Sequence, residues 1–129
     1  MKRLELKAYI KSINKVVDVH NINFLQEEIG FTDPQTTKYT FVKFEDVELM
    51  ENTGVLDTHG NDIFENDIVK IKFSSGNEHI CKIIYQDGIY ILQELNNVGQ
   101  EYLVRLSQNL NLTVIGNVYD KNLQKTGEK

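Results

Sequence analysis

Glu51–Ile71 reads ENTGVLDTHGNDIFENDIVKI, and how this stretch is read decides the fold. It holds five carboxylates and one histidine before its first lysine, Lys70. It is a metal loop, a catalytic carboxylate cluster or the entrance to a β-structure. Thr53-Gly54 and His59-Gly60-Asn61-Asp62 are turn chemistry, because Gly and Asn reach positive φ at little cost. Ile63 and Phe64 are apolar anchors between the turns. Asn66-Asp67 opens an alternating run with Val69, Ile71 and Phe73 on one face and Ile68, Lys70 and Lys72 on the other.

The chemical alternatives fail on spacing. A calcium loop needs oxygen ligands at positions 1, 3 and 5, Gly at 6 and Glu at 12. Counted from Asp57, these requirements meet His59 at the third position, a glycine two places early and Ile68 at the twelfth. Zinc requires three or four suitably spaced ligands. His79-x-Cys81 supplies two on one strand face, and Cys81 is in phase with Ile83 and Tyr85, which read as core. Asp62, Glu65 and Asp67 each have a local role: Asp62 closes an Asx turn and Asp67 accepts amide hydrogens at a strand start. No nucleophile–histidine motif or phosphate-binding glycine loop is present. The expectation is therefore no enzyme, with no catalytic residues, cofactor or metal.

Outward from this stretch, the chain reads as short strands. Leu4–Lys11 alternates, KSIN turns and KVVDV returns, an N-terminal hairpin. Residues 21–37 read as a mobile connection, with Pro34 breaking any helix. KYTFVKF is a further strand. Past Ile71, SSGNE turns the chain and HICKIIY returns it. Asp87-Gly88 between KIIY and IYIL is a two-residue hairpin signal, since a type I′ turn needs two positive φ angles. NNVGQ is a loop, EYLVRL a strand, SQNLN a tight turn and LTVIGNVY the last strand. The reading is mainly β: an N-terminal β-hairpin region with a mobile connection over 1–50, a small five-stranded SH3-like barrel over 51–120, and a polar tail over 121–129.

Composition sets the remaining bounds. The 129 residues are 40% hydrophobic, enough for one core, or one domain with a small appended part. No apolar run approaches the roughly 18 residues of a membrane span, and the N-terminus has no signal-peptide pattern. With the lone Cys81, this predicts a cytoplasmic protein with no membrane partner. Net charge is −5, and eight acids (Glu45, Asp46, Glu48, Glu51, Asp57, Asp62, Glu65, Asp67) fall between Lys43 and Lys70 with no Lys or Arg among them. Such a surface repels phosphate backbones and disfavours nucleic acid. The features on the other side are Lys70, Lys72 and Lys82 with Tyr85 and Tyr90, since small barrels stack bases on exposed aromatics.

LMENTGVLDTHGNDIFENDIVKI resembles the YopX family of phage and prophage proteins, whose members run approximately Leu-Met-x-x-Thr-Gly-Leu-x-Asp-x-x-Gly-x-x-Ile-x-Glu-Gly-Asp-Ile-Val. Leu49, Met50, Thr53, Gly54, Asp57, Gly60, Ile63, Glu65, Asp67, Ile68 and Val69 match. LELKAYIKSINKVVDV is similar to the family's opening hairpin and TVIGNVYDKNLQ to its closing segment. Tyr9 stands where Trp is common, Val55 where Leu is, and Asn66 where Gly is usual; Asn tolerates the left-handed region best after glycine. The resemblance implies a β-rich, phage-encoded protein of a Gram-positive bacterial host and carries no activity to transfer. Two functions follow as expectations. One is a non-enzymatic module that binds a host or phage protein, with homo-oligomers arising by exchange of the hairpin or C-terminal segment. The other is a nucleic-acid-associated accessory protein in phage replication or regulation.

Overall fold

The computed structural model describes residues 5–95 and 103–120. The chain divides into two compact units, Met1–Glu51 and Asn52–Lys129. The expected NNVGQ loop and the polar tail lie outside the described residues.

In the first unit, β1 (Leu6–Ile10) pairs antiparallel with β2 (Lys15–Asp18), the hairpin expected from the alternating N-terminus. Next come β3 (Asn21–Asn23), β4 (Glu28–Thr32) and β5 (Tyr39–Lys43), an antiparallel sheet in the order β3-β4-β5. Residues 21–37, expected as a mobile connection, thus hold two strands. The physical reason is packing: Ile29 and Phe31 of β4 point into the core with Ala8, Ile10, Val17 and Val47. Each fully buried Ile or Phe contributes about 1.5–3 kcal/mol relative to exposure. A short 3₁₀ turn, Phe44–Asp46, leads into β6 (Val47–Leu56), whose first half pairs with β1.

β6 carries the chain into the second unit. There, Thr53-Gly54 is a bulge inside the strand rather than the corner its composition suggests. Gly54 has φ +83, and the β6 register against β7 (Asp62–Phe64) slips between Asn52 and Leu56. The Thr53 hydroxyl donates to the Ile63 carbonyl at 2.7 Å across the slip. The turn read from His59-Gly60-Asn61-Asp62 forms between β6 and β7, with Gly60 at φ +82, and Asn66 makes the next with φ +70. Asn66 is strapped on both sides: its N–H donates to the Ile83 carbonyl at 2.8 Å, and its carbonyl accepts from the Val118 N–H at 2.9 Å.

β8 (Asp67–Lys72), β9 (Glu78–Gln86), β10 (Ile89–Glu94), β11 (Leu103–Arg105) and β12 (Leu112–Asn117) form one antiparallel sheet in the order β11-β10-β9-β8-β12. Four strands run as a meander, and the fifth returns to lie beside the first. Val69, Ile71, Cys81, Ile83, Leu92 and Leu112 form the core with Ile63 and Leu106. Ile68, expected on the solvated face with Lys70 and Lys72, is 1% exposed. β8 is buried on both faces at its start, and a doubly buried strand escapes an alternation rule.

Asp87 and Gly88 have φ +53 and +87, the two positive angles of a type I′ turn. The turn places Tyr85 opposite Tyr90, rings 5.1 Å apart at 63°. A Cβ at position 88 meets no neighbour, so substitution there acts through φ alone. Gly88→Val is expected to lower stability by about 1–3 kcal/mol in a urea titration. An unchanged midpoint would refute the turn's dependence on glycine.

Candidate functional site

The residues singled out above fall into four groups, and the structure separates them. Asp57 and its neighbours form the first. The Asp57 carboxylate is buried. Oδ1 accepts the N–H groups of His59 at 2.9 Å and Asn61 at 2.8 Å, while Oδ2 accepts Asn61 Nδ2 at 3.3 Å and the Val114 N–H at 3.0 Å. Burial pushes this carboxyl up, but the donors, led by Val114 and Asn61, outweigh it, and its pKa lies below the usual aspartate value. Asp57, not Asp62, closes the Asx turn. His59 and Asp62 are exposed, and no group of three or more His, Cys, Asp or Glu that could hold a metal ion occurs among the described residues.

Asp67 is the second buried acid, and its Oδ2 accepts the Phe64 N–H at 2.8 Å, the strand-start role read from the sequence. Two of the eight acids between Lys43 and Lys70 are therefore structural. Glu45, Asp46, Glu48 and Glu51 are exposed in the first unit, and Asp62 in the second.

His79 and Cys81 form the third group. His79 Nδ1 lies 2.9 Å from Glu94 Oε1, and the His79 ring meets Phe73 edge-on at 5.5 Å. Cys81 is fully buried. Burial, with the Glu94 charge added, pushes its thiol up to about 12, where almost no thiolate forms at neutral pH.

Lys70, Lys72 and Lys82 with Tyr85 and Tyr90 form the fourth. Lys82 lies opposite Ile68, and Lys70 opposite Ile80, whereas Cys81, Ile83 and Tyr85 alternate to the other side. The lysines and tyrosines stand on opposite faces, and Lys72 faces Glu78 across the strands. The arrangement has no combined basic and aromatic surface.

A surface that pattern reading missed lies on the first unit. Phe24 and Leu25, at the β3–β4 turn, are 77% and 94% exposed. The turn is built: Asn23 Oδ1 accepts the Gln26 N–H at 3.0 Å, Glu27 has φ +56, and Lys43 Nζ donates to the Gln26 carbonyl at 3.2 Å. Phe24 touches Phe44 edge-on, ring centres 6.1 Å apart, where the 3₁₀ turn carries Glu45 and Asp46. On the sheet face, Tyr39 and Phe41 are 51% and 53% exposed with rings 5.1 Å apart, and His20 stacks on Tyr39. Gly30 lies beneath them: a Cβ there would come 2.5 Å from the Tyr39 hydroxyl oxygen, so the bare backbone is what makes room for the Tyr39 ring. The available signal was NFLQEEIGF, where apolar residues sit beside turn formers and cannot all be buried.

The geometry defines a mainly β protein of two units without an assembled catalytic centre among the described residues. The chain belongs to the YopX protein family, whose model matches residues 4–123. Its fold is similar to that of protein EF1440 from Enterococcus faecalis, with TM-score 0.62, 19% identity, and coverage of 96% of this chain and 99% of that one. It is also similar to protein yopX from Bacillus subtilis, with TM-score 0.58, 16% identity, and coverage of 89% and 92%. No curated protein matches the chain.

Two outcomes test these local roles. Asp57→Asn keeps an acceptor for the turn but sets an amide N–H₂ against N–H donors, so stability should fall by about 1–3 kcal/mol. Because the folded carboxyl is the stronger acid, its contribution is present above the unfolded value, near 3.8, and is lost as pH falls through the lower folded value. Urea midpoints of wild type should therefore decline below about that pH more steeply than those of Asp57→Asn. Separately, Cys81 should resist a thiol reagent in the native state and react on unfolding. Fast native labelling would contradict its burial.

Proposed function

We propose that this is a phage- or prophage-encoded, non-enzymatic protein-interaction module acting in the host cytoplasm. Its second unit is read as a small SH3-like barrel. The strand order β11-β10-β9-β8-β12 supports that, since the returning last strand lies beside the first of the meander. The observation that carries the functional reading is the β3–β4 apex. Two large apolar side chains are held outward on a hydrogen-bonded turn, where exposure gains the isolated protein nothing. A convex apolar tip fits a concave apolar pocket. Glu27, Glu45 and Asp46 are exposed next to Phe24 and Phe44 in sequence, and they favour a pocket edged by Lys or Arg. The nucleic-acid reading has less support, because the lysines and tyrosines of the second unit do not share a face.

The test is affinity capture from lysogenic host cells with wild type and the Phe24→Ser, Leu25→Ser double variant. Both side chains are mostly exposed, so stability should shift by only about 0.5 kcal/mol. Wild type should retain a host or phage protein that the variant loses. Equal retention by both would remove the apex from the interface.

A further inference from the structure

β5 is an edge strand, hydrogen-bonded on one side to β4. Which of its backbone groups are spoken for follows from the ladder. The Asp33 N–H donates to the Lys38 carbonyl, and the Phe44 N–H to the Glu27 carbonyl, both at 2.9 Å. In an antiparallel pair the hydrogen-bonded positions alternate. With Phe31 opposite Thr40 and Ile29 opposite Val42, the amides and carbonyls of Thr40 and Val42 point at β4. Those of Tyr39, Phe41 and Lys43 point away, and no backbone bond to another strand is formed there among the described residues.

Natural edges are commonly blunted by proline, a bulge, an inward charge or an edge lysine. β5 has no proline and an unbroken register, and its edge lysine, Lys43, turns to Glu28 at 3.4 Å. Two of its three outward-bonding residues, Tyr39 and Phe41, are also its exposed aromatics.

We propose that the β5 edge is a self-association surface, where β5 of a second copy adds antiparallel about a two-fold axis at Phe41. The occupant follows from charge and register. Centred on Phe41, the axis pairs Phe41 with Phe41 of the second copy and Tyr39 with its Lys43, in both directions. All are outward-bonding positions, so the whole strand is used, and about six backbone hydrogen bonds form, two per pair. Each lysine meets a tyrosine ring, a favourable cation–π pairing. An axis at Lys43 would set ammonium against ammonium. An axis at Tyr39 would run the partner into Thr37, which has φ +61 and lies outside the strand. Of the two-fold axes that pass through an outward-bonding residue, the one at Phe41 alone avoids both. It uses neither Phe24 nor Leu25; Lys43, whose Nζ also donates to the Gln26 carbonyl of the apex turn, is shared by the two readings, and the substitutions that test the register leave Lys43 in place.

The test is sedimentation of the full chain over a range of concentrations, with circular dichroism to check folding. Wild type should reach the mass of a dimer. Phe41→Lys, which places like charges on the axis, should weaken dimerisation by about tenfold or more. The register is tested at position 39, where both variants lose the same ring. Tyr39→Glu meets Lys43 of the second copy and should preserve the dimer, whereas Tyr39→Lys should break it. A wild type that stays monomeric, a dimer that survives Phe41→Lys, or equal behaviour of the two position-39 variants would overturn the proposal. So would a monomer that binds single-stranded DNA through Tyr39 and Phe41.

Discussion

The Asp57 carboxylate takes N–H groups from His59 and Asn61 in its own turn and from Val114 on β12. The last strand is thereby tied to the loop that opens the second unit, 57 residues earlier in sequence. Thr58 strengthens the same junction. Its N–H donates to the Leu112 carbonyl at 2.8 Å, and its hydroxyl accepts the Leu112 N–H at 3.0 Å. With β12 held there, Leu112 closes onto Ile71 and Val69, and the meander gains its fifth strand. A charged acceptor suits this position. It accepts several N–H groups at once, and hydrogen bonds to a charged acceptor are the stronger kind.

That role gives Asp57, within the acidic opening stretch, a structural task. Asp67 is committed in the same way to the Phe64 amide. Glu45, Asp46, Glu48 and Glu51 of the first unit and Asp62 of the second remain exposed.

The first unit has the opposite character. Its core is small, and its surface displays apolar side chains on well-formed elements: the Phe24–Leu25 apex and the Tyr39–Phe41 face over Gly30. Order combined with exposed aromatic surface is the property on which the proposed interaction role rests. The two proposals rest on different features of this unit, the first on the backbone amides of the β5 edge and the second on the shape of the apex side chains.

Much of the second unit was legible in the residues. Asp87-Gly88, Asn66 and Gly60 announced their turns because positive φ is restricted by local sterics, which belong to the residue itself. Alternation placed Val69, Ile71, Cys81 and Ile83 in the core for a similar reason: the period of a strand is local. Family membership was legible in the spacing from Leu49 to Val69. Other features depend on partners distant in sequence. Asp57's commitment needs Val114, and the Thr53-Gly54 bulge exists only against β7. The strands at 21–37 exist because Ile29 and Phe31 find a core made by β1 and β2. The separation of the lysines from the tyrosines is a matter of sheet register, and which amides of β5 face outward depends on its pairing with β4. Local sterics and periodicity belong to the chain, whereas burial, register and hydrogen-bond partnership are set only when distant segments meet.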